Sequence, residues 1–395
     1  MPEPATSTLV RRAQREDWPA IERFLAANYG AEAPFKHHAR WLWQFVHNPF
    51  HLKRNEAPTV WIALEGDEVI GQLSVQDGQV RIATRTYPAG WIVDVMVDAR
   101  ARGRGLGHAI HRAIMAERPL LVTLTMAPAT RRIADRAGAL TLGPVREYVL
   151  PVALSGATIS HLLANRAAMR RSRAPALARA LDLAGRLPAA PDLAAAAMRG
   201  AARLRRRPAP VDGRIEEVDR LGEAADALWE RLANRFPASF VRTSPFLDWR
   251  FGQAPDLTYR KFLLKRGGAV AGWLVTRAAH PAEPRMGVLV DMFADPEDGA
   301  ALAALVAHAV EVLSPGSEYV RAAASTPAFR RALAGAGFLG VRTHRPTVVC
   351  ADPALRATIA MTKDLWHFTK GDHDWDQIHP DDPPGPASGE PRSHR

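Results

Sequence analysis

Apolar residues in the first 150 positions fall into short runs separated by turn residues and amphipathic stretches. Leu9-Val-Arg-Arg-Ala13 predicts a short strand, and Asp17-Trp-Pro-Ala-Ile-Glu-Arg-Phe-Leu25 a helix with Asp17 as N-cap and a proline in its first turn. Thr59–Leu64 and Glu68–Val75 predict a hairpin around a Gly-Asp turn. Trp91-Ile-Val-Asp-Val-Met-Val97 is a strongly β-forming run. A glycine-rich turn follows, then a helix from about Leu106 to Ala116, a strand from Leu120, and a helix over Pro128–Ala137 stopped by Gly138. Val145–Leu150 predicts a last strand. The order is that of a mixed sheet with helices on its faces, an α/β (α+β) fold.

The same order returns about 200 residues later. Pro128-Ala-Thr-Arg131-Arg132 reappears as Pro327-Ala-Phe-Arg330-Arg331, and the same offset of 199 maps Gly138 onto Gly337. Trp43-Gln-Phe45 with Pro49 matches Trp249-Arg-Phe251 with Pro255, at an offset of 206. Gly71 matches Gly272, and Asp94 matches Asp291. The matches keep their sequence order, and loop-length changes account for the drift in offset. A period this long is no solenoid; it predicts two copies of one domain.

Composition refines this picture. The 395 residues are 47% hydrophobic and 24% charged, as in an ordinary folded protein. Cys350 is the only cysteine, so no intrachain disulfide can form. The chain shows no secretory pattern at its start and no apolar run of transmembrane length, which leads us to expect a cytoplasmic protein without a membrane span. The net charge of +11 is concentrated in one place. Residues 151–212 hold eleven arginines against three aspartates, a net of +8, which leaves +3 for the rest. The basic character therefore belongs to a connecting region, and nucleic acid is not an expected partner.

The stretch richest in chemistry is Arg102-Gly103-Arg104-Gly105-Leu106-Gly107, set between a β run and a helix. Glycines let the backbone turn tightly and approach a ligand. The helix start adds unpaired amides and a partial positive charge, a cradle suited to a diphosphate. There is no Gly-Lys-Ser/Thr, which excludes a Walker A loop, and the dinucleotide spacing Gly-x-Gly-x-x-Gly is absent from this turn.

Val97 through Gly107 resembles the acetyl-CoA motif of the GNAT acetyltransferases, with its Arg/Gln-x-x-Gly-x-Gly/Ala core. The resemblance covers residues 8–150 and, through the repeat, a second copy in 213–365. It implies that the amides of Arg102, Gly103, Arg104, Gly105, Leu106 and Gly107 hold the pyrophosphate of acetyl-CoA. It also implies that backbone groups of Val95 and Val97 bond the pantetheine arm. In the second copy Asp295-Pro-Glu297-Asp298 replaces the glycines, and these acids should repel a diphosphate. The expected architecture is thus two tandem GNAT-like domains, the second degenerate, joined by a basic helical linker at 151–212. A tail follows at 366–395, expected to be disordered from about 380.

Acyl transfer to an amine needs a base for the amine and an acid for the departing thiolate. The family resemblance implies a tyrosine acid four residues before Gly138, but Ala134 stands there, and Leu333 in the second copy. Tyr148 and Tyr29 remain as tyrosines without positional support. Asp94 is the candidate base: a carboxylate in an apolar β run is costly unless paired or functional. A structural ion pair is the competing explanation, favoured by the recurrence of the acid at Asp291. Weaker candidates are His37, His38, Glu32 and His108.

In the linker, Ile159–Arg170 and Pro175–Leu187 read as helices, and Arg203-Leu-Arg-Arg-Arg207 is a compact basic cluster. The alternating Asp372, Asp374 and Asp376 suggest a calcium loop. However, Gln377 and Pro383 stand where glycine and glutamate are required, so no metal is expected. The expected function is acetyl transfer from acetyl-CoA to an amine of a small molecule or exposed peptide. The alternatives are a noncatalytic acyl-CoA-binding scaffold and a Fem-type aminoacyl transferase.

Overall fold

The computed structural model describes residues 8–51, 57–170, 189–207, 213–281 and 285–377, with residues 179, 183, 186 and 187 between them. The first half contains β1 (Thr8–Arg12), α1 (Trp18–Tyr29), α2 (His38–Phe45), β2 (Val60–Glu65), β3 (Glu68–Ile82), β4 (Arg85–Val97), α3 (Leu106–Glu117), β5 (Leu120–Thr123), α4 (Pro128–Arg136), β6 (Leu140–Thr141) and β7 (Val145–Pro151). Two helices follow, α5 (Gly156–Arg170) and α6 (Ala190–Arg205). The second half contains β8 (Arg214–Val218), α7 (Gly222–Leu232), β9 (Ala238–Phe240), α8 (Ser244–Gly252), β10 (Arg260–Arg266), β11 (Ala269–Arg277) and β12 (Met286–Ala294). It continues with α9 (Gly299–Leu313), β13 (Tyr319–Ala324), α10 (Pro327–Gly335), β14 (Leu339–His344), β15 (Thr347–Cys350), α11 (Pro353–Thr362) and β16 (Trp366–His367).

These strands build two sheets of one pattern. The first runs β1-β2-β3-β4-β5-β15-β6 and the second β8-β10-β11-β12-β13-β7-β14. In each, the fourth and fifth strands pair in parallel, β4 with β5 and β12 with β13. The other ladders on these two paths are antiparallel. The sixth position in each sheet is filled by the other half. Val145–Leu150 reads in sequence as the strand closing the first half, but β7 lies between β13 and β14 of the second sheet. In return β15 crosses from the second half to lie between β5 and β6. An alternating apolar strand buries the same surface in either sheet, so its pattern could not choose between them.

A pair of tryptophans marks the seam. Trp43 Nε1 donates to the Trp249 carbonyl at 3.1 Å, and Trp249 Nε1 donates to the Trp43 carbonyl at 3.0 Å. The rings stack with centroids 4.8 Å apart. The hairpin of β3 and β4 runs beyond the expected Val75, and its far end pairs Val80–Ile82 with β9.

Within the linker, Ile159–Arg170 is helical as expected, whereas Pro175–Leu187 lies mostly outside the described residues. The helix α6 has no counterpart among the helices expected for the linker. It carries few large apolar residues, and the face it buries is made of Pro191, Ala195 and Ala202. Ala195 and Ala202 join the core of the second half. The net-positive segment is thus partly packed, with Arg203 and Arg205 in the last turn of α6, where they complement the helix dipole.

Residues 366–377 are a built part of the fold. β16 pairs with β9, and Trp366 and Phe368 join the hydrophobic core of the first half. Beyond their short parallel ladder at Met286–Val288, β12 and β13 part, and the chain at 369–372 packs against both. Thr369 donates to buried Asp291 at 2.8 Å. Gly371 sits so close that a Cβ there would meet Asp291 Cβ at 2.8 Å, so only glycine fits. Lys370 pairs with Glu147 at 3.0 Å, Asp372 with Arg242 at 2.8 Å, and Asp376 with Arg250. The expected disorder from about 380 concerns residues outside those described.

Candidate active site

The first sheet opens where the second is filled. β4 and β5 pair only at Gly90–Leu121 and Trp91–Val122, then diverge. A β-bulge lies just beyond: Leu73 of β3 faces both Asp94 and Val95 of β4. Asp94 takes a φ of 51°, a left-handed conformation that aspartate enters more readily than most residues. The extra residue bends the strand and breaks its alternation. Val93 is 7% exposed and Val95 is 36% exposed, although unbroken alternation would put both on one face. The cleft between the strands has a volume of about 440 Å³.

At one end stands the glycine turn. Gly103 and Gly105 have φ of 83° and 79°, and a Cβ on either would meet nothing within 4 Å. These glycines therefore serve backbone shape and access rather than packing. Gly105 is the N-cap of α3, and the first amides of that helix have no partner within it. The surrounding arginines divide. Arg102 stays exposed, its Nε 3.3 Å from the Val97 carbonyl. Arg104 turns back to Glu65 at 2.8 Å, and Arg100 pairs with Glu68.

His111, one turn into α3, lines the cleft. Its Nδ1 donates to the Gly107 carbonyl at 2.7 Å, which leaves Nε2 as an acceptor without a partner among the described residues. Burial pushes its pKa below the ordinary histidine value, which favours the neutral ring. The residue escaped sequence reading because its amphipathic position looks like any helix face.

Asp94 lines the cleft and forms an ion pair with Lys36, whose ammonium also lies 4.5 Å from the centre of the Tyr29 ring. The second half repeats this pair: Arg242 holds Asp291 at 3.2 Å. Lys36 and Arg242 each stand two residues before a helix, at the offset of 206 that relates the two tryptophans. Ala134 lines the cleft, so the site implied for a tyrosine acid faces it without a hydroxyl. Tyr148 is buried on β7 in the second sheet, away from the cleft. His37 caps α2, and His38 stacks on Trp18 with centroids 5.0 Å apart. His108 is exposed on α3, and the side chain of Glu32 falls outside the described residues.

The remaining wall comes from the tail, as His373, Asp374 and Trp375. His373 Nδ1 donates to Asp374 at 2.8 Å, and its ring lies 4.5 Å from that of Trp91. Sequence reading gave this segment no role. Its density of aromatic residues was the available sign that it packs against the protein. Asp372, Asp374 and Asp376 do not converge as metal ligands, since they bond Arg242, His373 and Arg250 respectively.

Residues 9–136 match the family model described as an acetyltransferase (GNAT) domain, and this part of the chain is such a domain. The fold extends over more of the chain. A GCN5-related N-acetyltransferase from Anabaena variabilis is 12% identical, with a TM-score of 0.54 over 87% of this chain and 72% of that one. The corresponding enzyme from Kribbella flavida is 16% identical, with a TM-score of 0.51 over 87% and 70%. N-myristoyltransferase from Saccharomyces cerevisiae, solved with myristoyl-CoA, is 10% identical, with a TM-score of 0.55 over 88% and 83%. No protein of curated function matches the chain in sequence. Among the described residues, no helix is long and apolar enough to cross a membrane.

Proposed function

We propose that the protein is an acyltransferase that moves an acetyl group from acetyl-CoA to an amine of a small molecule or an exposed peptide. The observation that carries this reading is the alignment of the bulged, splayed β4 with an open glycine turn at the start of α3. A diphosphate suits the amides of residues 103–107 and the exposed guanidinium of Arg102. The pantetheine arm suits the edge of β4 at Val95 and Val97, beyond the end of the ladder with β5, as an added strand would. His111 Nε2 offers an acceptor to an amide of the same arm.

The second half is the degenerate copy of the first. Its strand order supports that reading, and its cleft is filled by the chain at 369–372. Asp94 remains a candidate base, but its ion pair recurs at Arg242–Asp291, beside a filled cleft without the glycine turn. That recurrence favours a structural role, holding the bulge against the start of α2.

Isothermal titration with acetyl-CoA, octanoyl-CoA and myristoyl-CoA tests the donor and its chain length. Gly105→Glu should weaken binding at least tenfold, about 1.4 kcal/mol, by placing a carboxylate at the phosphates. Binding equal to the parent's would refute the cradle. A noncatalytic acyl-CoA-binding role is the second reading, favoured by Ala134 at the acid's position. CoA release in a screen of amines separates the two.

A further inference from the structure

The transfer reaction lacks an assigned proton carrier, and the structure brings one to the cleft from the far end of the sequence. We propose that His373, oriented by Asp374, is the general base of the first half's cleft and returns the proton to the leaving thiolate. This inference rests on the acyltransferase reading.

Three observations meet at this residue. First, the hydrogen-bond pattern selects the tautomer of the neutral ring. The carboxylate of Asp374 only accepts, so in the neutral ring Nδ1 carries the hydrogen and Nε2 presents a lone pair. Second, Nε2 is buried without a partner among the described residues, while the ring lines the cleft. A buried, unsatisfied acceptor is costly, and an amine N–H entering the cleft would satisfy it. Third, the position is held firmly. Lys370 and Asp372 before it, and Asp376 after it, are each buried and paired with Glu147, Arg242 and Arg250. The ring is packed between Trp91, at 4.5 Å, and Trp375, at 5.9 Å. This is how a catalytic ring is kept in place, by anchors on either side and a carboxylate on its second nitrogen.

Position along the cleft separates the two histidines that line it. A donor anchored at the glycine turn extends along β4 from Val97 past Val95, so its reactive end lies toward Trp91. His111 stands on α3 at the anchoring end, whereas His373 stands against Trp91. As the amine nitrogen bonds to the acyl carbon, Nε2 of His373 takes its proton. The C–S bond breaks, and the imidazolium gives that proton to the thiolate, which leaves as the thiol. Asp374 stabilises the imidazolium in between. The ring thereby also supplies the acid that Ala134 cannot.

The test compares the full-length parent with His373→Asn, His373→Ala and Asp374→Asn. The readouts are amine-dependent CoA release, acyl-CoA affinity by titration, and melting temperature. His373→Asn should lower turnover by roughly 10²–10⁴, with acyl-CoA affinity and melting temperature kept. Imidazole should restore part of the activity of His373→Ala, in proportion to its neutral form. Asp374→Asn should cost at least about tenfold in kcat with KM unchanged. If His373→Asn keeps more than about a third of the turnover, or loses acyl-CoA binding in step with it, the assignment is overturned. Full activity of Asp374→Asn overturns the role of the carboxylate. A parent that binds acyl-CoA but releases no CoA with any amine overturns the enzyme reading itself, and this inference with it.

Discussion

Arg242→Met should show how the second half governs the chemistry of the first. The guanidinium is completely buried and joins two carboxylates, Asp291 at 3.2 Å and Asp372 at 2.8 Å. It also donates to Ser239 at 2.9 Å and to the Phe240 carbonyl at 3.0 Å. Methionine fills similar space but leaves two buried acids facing each other. Removing one member of a buried ion pair typically costs about 3–5 kcal/mol. Unfolding entropy of about 2.1 cal/mol/K per residue gives about 0.8 kcal/mol/K for a chain of this length, so the melting temperature should fall by about 4–6 °C. The loss has a direction in space, because Asp372 holds the segment carrying His373. Limited proteolysis should reveal new cleavage within residues 366–377, and CoA release should fall while acyl-CoA affinity stays near the parent's. Calorimetry and titration on one preparation check both. A melting temperature within about 1 °C of the parent's, with an unchanged cleavage pattern, would refute the account of the tail as a strap tied by buried charge.

Other predictions follow from the same contacts. Residues 8–150 alone lack β15 and leave β7 without partners, so the fragment should aggregate, while co-expression with 151–395 should recover soluble protein. A soluble fragment that binds acyl-CoA would contradict the strand exchange. Asp94→Asn should lower the melting temperature by several degrees and weaken turnover and acyl-CoA binding together, independently of pH, if its ion pair with Lys36 is structural. A fall of roughly 10²–10⁴ in turnover alone, shrinking as pH rises, would make it the base instead. Burial pushes the Asp372 carboxyl up to about 6, with Arg242 opposing and Asp291 adding to the rise. The native state therefore binds that proton more tightly than the unfolded chain. Relative to Asp372→Asn, the parent should gain melting temperature as pH falls from about 6 to about 4. Glu147 has the opposite sign. Burial raises its pKa, but Lys370, His344 and Arg321 outweigh that and hold it well below the usual range. Its stabilising contribution should fade as pH falls through the ordinary glutamate value, and Glu147→Gln should remove that dependence.

Local chemistry made much of this protein legible in its sequence. The glycines at 103 and 105 take a turn conformation that other residues resist, and they stand between unmistakable strand and helix patterns. The sequence matches near an offset of 200 include Trp43 and Trp249, which bond each other's carbonyls, and Asp94 and Asp291, which each hold a cation. What the sequence could not convey is which sheet receives an apolar strand, since burial rewards β7 and β15 equally in either one. Nor could periodicity locate the bulge at Asp94, which is one residue of register set by pairing with β3. The tail was the largest gap. Its aspartates and lysine look solvated when read in order, and only the buried partners Arg242, Arg250 and Glu147, more than a hundred residues away, make them part of the core. Tertiary structure alone placed His373 beside Trp91, because the chain must first fill one cleft before it can line the other.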